Sequence, residues 1–239
     1  MFVAGATGVV GRRLCMLLRS ARHDVVGTTR SAARAAGLTL LGVDPVEVDV
    51  FDGEALRSAV ARAMPDVVIH QLTDLPRQHD PETMAAARDS NARLRIEGTH
   101  NLVAAAQAAG VSRLIAQSVA FAYAPGTEPH GESDPLDLGA DGAQRRSAEG
   151  VAALEAAVLG TPGIGGVVLR YGRLYGEGTW SASPDGRAPL HVDAAAHVAL
   201  LATTNGSPGI YNIAEDDGAV SIEKARRELG FDPDFRLAI

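Results

Sequence analysis

Three glycines near the start of the chain have the spacing of a loop that holds phosphate groups. Gly5, Gly8 and Gly11 follow a short apolar run and precede a stretch with helical periodicity. In a strand–loop–helix unit, such glycines allow a tight turn, close approach of a pyrophosphate and close packing of the helix. The free N–H groups at the helix start then face the phosphates. The sequence therefore predicts a dinucleotide site at Gly5, Ala6, Thr7, Gly8, Val9, Val10 and Gly11.

Arg30 stands at the predicted end of the second strand, where one side chain selects between the two nicotinamide dinucleotides. An acidic residue there binds the ribose 2′-hydroxyl of NAD, whereas a cation accepts the 2′-phosphate of NADP. A guanidinium offers a fork of donors that suits phosphate, and Ser31 and Arg34 add a hydroxyl and a second cation. No Asp or Glu occurs from Val25 to Arg34. We expect NADP(H) rather than NAD(H); the alternative is a solvated arginine without a ligand.

Three hydroxyl side chains are candidates for catalysis because they follow strands that end at one predicted edge of the sheet. They are Ser118, Tyr123 and Tyr171. Ligands of open parallel sheets bind outside the carboxyl ends of the strands. A hydroxyl there can orient a substrate or exchange a proton with it. For both tyrosines, packing without a catalytic role is an equally good interpretation.

The elements that position these residues alternate between strands and helices along most of the chain. This alternation predicts an α/β fold, a doubly wound parallel-sheet Rossmann fold with a small C-terminal substrate lobe. We interpret residues 1–239 as a single domain. Residues 1–170 would form the NADP-binding core, and residues 171–239 would mostly form a small substrate-binding lobe. Long helices predicted at 82–109 and 143–159 have alanine-rich faces, so a homodimer is possible.

The composition excludes several classes of partner. A net charge of −7 argues against nucleic acid or an anionic membrane surface, because both call for a basic face. No apolar run approaches the roughly 20 residues that span a bilayer. Because the first strand is predicted at the start of the sequence, we expect no signal peptide. The single cysteine, Cys15, fits a reducing compartment, so we expect a cytoplasmic protein. The seven histidines lack ligand spacing, so no metal site is predicted.

Several short motifs along the chain have the pattern of one enzyme family. They are the glycine spacing, Asp49-Val50, Asp66-Val-Val-Ile-His70, Asn91 with Gly98-Thr-x-Asn101-Leu102, Arg170-Tyr-Gly-Arg-Leu-Tyr-Gly176 and His191-Val-Asp193. With these motifs the chain resembles, almost end to end, the extended and atypical short-chain dehydrogenases/reductases, the NAD-dependent epimerase/dehydratase group. The resemblance implies cofactor contacts at Asp49, Val50, Gln71, Leu72, Thr73 and Arg173.

The catalytic pair of that family is missing from this chain. The resemblance implies a tyrosine acid, a lysine four residues later that lowers its pKa, and a Ser or Thr that orients the substrate. Lys224 is the only lysine, and Val220 stands four residues before it. By spacing from Arg170, the pair would fall near Ser147 and Val151. Ser118 matches the orienting hydroxyl approximately, and Tyr123 or Tyr171 would have to substitute for the acid.

The dinucleotide-binding motifs are intact, whereas the Tyr/Lys catalytic pair is missing, and two functions are compatible with this combination. The first is an NADP(H)-dependent oxidoreductase or epimerase-like enzyme acting on a small carbonyl or alcohol. The second is an NADP(H)-binding protein without redox turnover, with a sensor, structural or non-redox catalytic role. The short segment 177–189 and the abbreviated C-terminal end argue against a nucleotide-sugar substrate.

Overall fold

A parallel sheet of seven strands forms the centre of the computed structural model. The structure describes residues 1–76 and 80–237, with only the backbone described at residues 81 and 82. The sheet order is β3-β2-β1-β4-β5-β6-β9, and β7 pairs with β8 in a separate small sheet. The strands are β1 (Phe2–Ala4), β2 (Val26–Thr29), β3 (Asp44–Glu47), β4 (Val67–His70), β5 (Arg113–Val119), β6 (Gly165–Tyr171), β7 (Arg173–Tyr175), β8 (Pro189–His191) and β9 (Gly209–Ile213).

Helices cover both faces of the sheet, as the alternating sequence pattern predicted. The helices are α1 (Val9–Ser20), α2 (Ala32–Thr39), α3 (Gly53–Ala63), α4 (Pro81–Arg93), α5 (Thr99–Ala108), α6 (Gly142–Gly160), α7 (Val192–Leu201) and α8 (Glu223–Leu229). One face of the sheet packs against α1 and α7, and the other against α3, α5 and α6. The prediction of a doubly wound Rossmann fold is confirmed.

Strand register brings the candidate site residues to one edge of the sheet. His70 pairs with Ala116, Ser118 with Arg170, and Tyr171 with Ile213, all in parallel ladders. The carboxyl ends of β4, β5, β6 and β9 therefore lie side by side. In a doubly wound sheet, this is the edge where ligands bind.

The helix predicted over 82–109 is present as one helical stretch, but it is not a regular α-helix along its whole length. Between α4 and α5 the chain forms a π-helical segment, Leu94–Gly98. A Cβ on Gly98 would lie 3.0 Å from a methyl group of Val50, so this turn packs closely on the loop after β3. Apolar periodicity cannot reveal one locally wider turn, and π segments occur often at functional sites.

The part of the chain after residue 170 contributes to the main sheet as well as to the loops above it. β9 pairs with β6, and α7 packs against α1 beneath the glycine loop. The division into a core and a substrate lobe therefore stays a prediction, as does the homodimer. Across the described ranges, no helix is both long enough and apolar enough to span a membrane.

Candidate active site

The glycine loop forms a backbone cradle that side chains would fill. Gly5 has a φ of 88°, and a Cβ there would lie 2.6 Å from the carbonyl oxygen of Gln71. A Cβ on Gly11 would lie 2.1 Å from the carbonyl oxygen of Gly5. Gly8 precedes α1 as its N-cap residue and has no side chain to cap it, so the first N–H groups of the helix stay available to a ligand. This geometry fits a pyrophosphate group.

Arg30 directly follows β2 and pairs with a carboxylate from the loop after β4. Its Nη2 is 3.1 Å from Oδ1 of Asp74, in the loop after β4, and both side chains are partly exposed. Asn91 fixes that loop, since its amide bonds both the N–H and the carbonyl of Asp74 at 2.9 Å. A cavity of about 280 Å³ lies beside this pair, and its lining residues are Arg30, Glu47, Val48, Asp49, Asp52 and Ala55.

Further predicted cofactor residues follow β2, β3 and β4. Ser31 precedes α2, and Arg34 is exposed on that helix. Asp49 is exposed and accepts a 3.0 Å bond from the N–H of Phe51. The carbonyl of buried Val50 accepts a 2.9 Å bond from Asn101. Leu72 and Thr73 continue from β4.

Gln71 and Tyr171 form a buried polar pair beside the cradle. Nε2 of Gln71 donates to the Tyr171 hydroxyl at 3.3 Å, and that hydroxyl donates to the carbonyl of Ala195 at 3.0 Å. Burial raises the pKa of Tyr171 well above its usual value, so the phenol stays protonated. Oε1 of Gln71 is buried and has no hydrogen-bond partner among the described residues. An unpaired buried acceptor is costly, and a donor on a ligand would satisfy it.

Ser118 lies at the end of β5, but its hydroxyl is bonded inside the protein. Its Oγ donates to Oε1 of Glu155 at 2.9 Å. Arg170 donates to both oxygens of the same carboxylate, at 2.8 and 2.7 Å. All three side chains are almost fully buried. Burial by itself lowers the pKa of Arg170, but its bonds to Glu155 outweigh this and hold the pKa above its usual value.

Tyr123 belongs to the same network, and Arg173 lies outside it. The Tyr123 ring lies under the Arg170 guanidinium at 4.8 Å, and its hydroxyl donates to Oδ1 of Asn212 at 2.7 Å. Burial raises the pKa of Tyr123, although Arg170 opposes the shift. Arg173 is exposed on β7, with its guanidinium 5.3 Å from the Phe121 ring centre. It lies at the rim of the edge rather than in the buried network.

Ser147 and Val151, where spacing from Arg170 would put the missing pair, both lie on α6. Val151 is fully buried, so no cation replaces the lysine there. Ser147 instead accepts a 3.3 Å hydrogen bond from Nη1 of Arg95, which comes from the π-helical segment. A cation from the π-helical segment therefore contacts the serine on α6.

Neither Glu155 nor Arg95 was among the predicted site residues. Glu155 follows Ser147 and Val151 at four-residue intervals, so a carboxylate on the buried stripe of α6 was a usable signal. Arg95 gave no signal in the sequence, because its direction depends on the π turn. Among the described residues, no group of three or more His, Cys, Asp or Glu side chains is placed to hold a metal ion.

The sheet order, the glycine cradle and the ligand-binding edge define an NAD(P)-dependent enzyme of the Rossmann type. The family model for the NAD dependent epimerase/dehydratase family matches residues 1–208. The chain belongs to this family, as the resemblance in the sequence indicated.

A curated relative from Streptomyces sp. is 40% identical, over 92% of this chain and 77% of its own length, and is named 3-diazoavenalumate denitrifying reductase. Solved structures with the same fold include the UDP-glucose 4-epimerase of Thermotoga maritima, with UDP-glucose. It has a TM-score of 0.78 at 16% identity and covers 98% of this chain and 94% of that chain. A dTDP-glucose 4,6-dehydratase double mutant from Streptomyces venezuelae, with NAD bound, has a TM-score of 0.76 at 17% identity, covering 98% and 92%.

Proposed function

We propose that the chain is an NADP(H)-dependent reductase that removes nitrogen from a small diazo compound. The observation that carries the proposal is the pairing of an intact dinucleotide cradle with Ser147 and Val151 at the positions of the usual acid and its lysine. The site is therefore built to hold the cofactor but not to protonate a carbonyl oxygen in the usual way. The 40% identical relative, whose name describes reductive loss of nitrogen from a diazo compound, supports this substrate class.

Chemistry explains why a diazo group can do without the missing acid. When bound, the reduced dinucleotide supplies a hydride to the terminal nitrogen, which forms an N–H bond and converts a diazonium into a neutral diazene. The diazene then loses N₂ as its C–N bond breaks, and the carbon takes the hydrogen. Unlike a ketone, the diazonium carries its own positive charge, so no phenol has to donate a proton as the hydride arrives.

The residues around the cradle have separate binding roles in this proposal. The N–H groups at the start of α1 would hold the pyrophosphate, and the unpaired Oε1 of Gln71 would accept a bond from a donor group of the bound ligands. Arg30 would pair with the 2′-phosphate, which makes NADP(H) the preferred cofactor. Glu47, Asp49 and Asp52 line the neighbouring cavity, and their carboxylates would repel a phosphate. The preference for NADP(H) therefore depends on the positive charge of Arg30.

A substrate panel tests the proposal. The purified protein is given NADPH and, in separate assays, an arenediazonium salt, an aromatic ketone, an aldehyde and an enone, with enzyme-free reactions subtracted. We expect enzyme-dependent NADPH oxidation with the diazonium and little with the carbonyl compounds. Turnover on carbonyl compounds alone would contradict the diazo assignment and favour a carbonyl reductase.

A second function, NADP(H) binding without redox turnover, is favoured by one observation. The hydroxyls of Ser118 and Tyr171 are both buried and bonded to protein groups, so neither is free to contact a substrate. Tight NADPH binding without oxidation on any member of the panel would support this function over the reductase.

A further inference from the structure

Arg95 is a cation in an unusual place. It lies in the π-helical segment between α4 and α5, and its side chain is largely buried. Its Nη1 donates to Ser147 Oγ at 3.3 Å. A rare π-helical turn thus directs a guanidinium to Ser147, the position where spacing puts the catalytic phenol of the family.

The groups facing Arg95 do not neutralise its charge. Glu155 acts on Arg95 electrostatically, but both of its carboxylate oxygens are already bonded to Arg170, and one also to Ser118. His70 is fully buried, and burial together with the Arg95 charge lowers its pKa to about 4, so it is neutral at physiological pH. Ser147 is uncharged. Arg95 makes no ion pair with any residue in the described part of the chain.

This local balance of charge calls for an anion. Glu155 and Arg170 cancel each other, which leaves the Arg95 charge in surplus within a mostly buried site. A largely buried cation without an ion pair is unfavourable, and a negatively charged ligand group would compensate its charge. The guanidinium keeps its protons at neutral pH, so it can stabilise an anion but cannot act as a proton donor.

The geometry points to Arg95 as the residue that holds an anionic oxygen of the substrate, next to the diazo group that receives the hydride. This inference rests on the proposed function and adds a substrate class, the ortho-oxido arenediazonium, also written as a quinone diazide. In this class the phenolate oxygen stays anionic throughout. The hydride forms the N–H bond, N₂ leaves with cleavage of the C–N bond, and the phenolate carries one negative charge before and after the reaction.

The same geometry disfavours a diazonium without that oxygen, because Arg95 would face a bare positive charge. The test compares ortho-benzoquinone diazide with 2-methylbenzenediazonium, which has similar size and no oxygen. We expect Arg95→Met to lower kcat/KM for the quinone diazide at least about 100-fold, as for loss of an oxyanion-stabilising donor. For the methyl compound, kcat/KM should stay the same or rise.

Two further variants separate charge from structure. Arg93→Met is the matched control, because Arg93 lies in the adjoining turn with an exposed side chain paired to Glu97. Arg93→Met should behave as the wild type with both substrates. Arg95→Lys keeps the charge without the planar fork, so it should retain part of the preference for the quinone diazide over the methyl compound. This variant replaces Arg95→Met in the comparison if Arg95→Met does not fold. Equal losses on both substrates for Arg95→Met, or for Arg95→Lys in that case, would overturn the inference.

A binding measurement keeps the inference testable if the proposed reaction fails. The probe is 4-nitrophenolate, titrated by its absorbance into the NADP⁺-loaded protein at a pH where the phenol is ionised. We expect binding that weakens at least tenfold in Arg95→Met and is unchanged in Arg93→Met, with the NADP⁺ Kd unaltered. Absence of binding, equal binding in all variants, or a matching loss of NADP⁺ affinity would contradict it. Lack of diazo turnover with Arg95-dependent binding would reject the proposed reaction alone.

Discussion

Oγ of Ser118 donates a 2.9 Å hydrogen bond to Oε1 of Glu155, which joins the end of β5 to a carboxylate inside α6. Because Arg170 holds that same carboxylate with two bonds, the hydroxyl is part of a buried ion-pair network. A serine at this position is expected to orient a substrate, but here it stabilises the wall of the site. We therefore expect substrate chemistry to depend on other groups at this edge.

The first prediction concerns the stability of this network. Glu155→Gln leaves the buried Arg170 charge without its partner, and we expect a loss of about 3–5 kcal/mol in the free energy of unfolding. Glu149→Gln is the control on the same helix, because Glu149 pairs with Arg145 at the surface. Its effect should not exceed about 1 kcal/mol. Urea denaturation measures both, and similar effects for the two variants would show that the buried network adds no stability.

A second prediction concerns Ser118 itself. Since its hydroxyl is committed to Glu155, Ser118→Ala should change kcat less than about threefold while lowering stability by about 1–2 kcal/mol, the value of a bond to a charged group. Steady-state kinetics and thermal unfolding of the same preparation check both. A loss of kcat by two orders of magnitude without a change in stability would restore the direct catalytic role.

The third prediction is a pH dependence of stability caused by His70. Burial and the nearby Arg95 lower its folded pKa to about 4, below the usual unfolded value near 6.5, and its Nε2 lies 3.0 Å from Thr99 Oγ1. Between these pH values the unfolded state binds a proton that the folded state does not, so stability falls as pH drops from about 6.5 to about 4. The contribution is about 3–4 kcal/mol, because the pKa differs by about 2.5 units between the two states and each unit is worth roughly 1.4 kcal/mol.

Replacing this histidine tests the assignment. In His70→Gln the stability should vary less with pH in that interval, whereas the exposed His100→Gln should keep the wild-type slope. Denaturation at closely spaced pH values provides the comparison. Parallel curves for all three proteins would mean that other groups cause the acid sensitivity.

The fourth prediction concerns the cofactor. Arg30→Ala should weaken NADPH binding about 10-fold or more while NADH binding stays constant, because only NADPH has the 2′-phosphate. Asp74→Asn should strengthen NADPH binding several-fold, since the carboxylate 3.1 Å from Arg30 competes with that phosphate. Arg34→Ala, on the exposed face of α2, should have the smaller effect. Fluorescence titration gives the Kd values, and equal changes for both cofactors would reject NADP(H) preference.

Much of the fold followed from the sequence because its signals are local. The glycine loop, the apolar strand β4 and the periodicity of α6 each depend on a few neighbouring residues. The site was less predictable. The bond from Ser118 to Glu155 joins residues 37 positions apart, and the bond from Arg95 to Ser147 joins residues 52 apart. Such pairings depend on how the helices pack. The bond from Arg95 also depends on a π-helical turn, which the apolar periodicity of the sequence does not reveal.

The most direct test of the central claim is the stoichiometry of the reaction. Wild-type protein is supplied with NADPH and ortho-benzoquinone diazide carrying ¹⁵N in the diazo group, and the labelled N₂, the NADP⁺ and the resulting phenol are quantified. The account predicts one labelled N₂ and one phenol for each NADPH oxidised, beyond the enzyme-free rate. NADPH oxidation without labelled N₂, or N₂ release without NADPH oxidation, would contradict it.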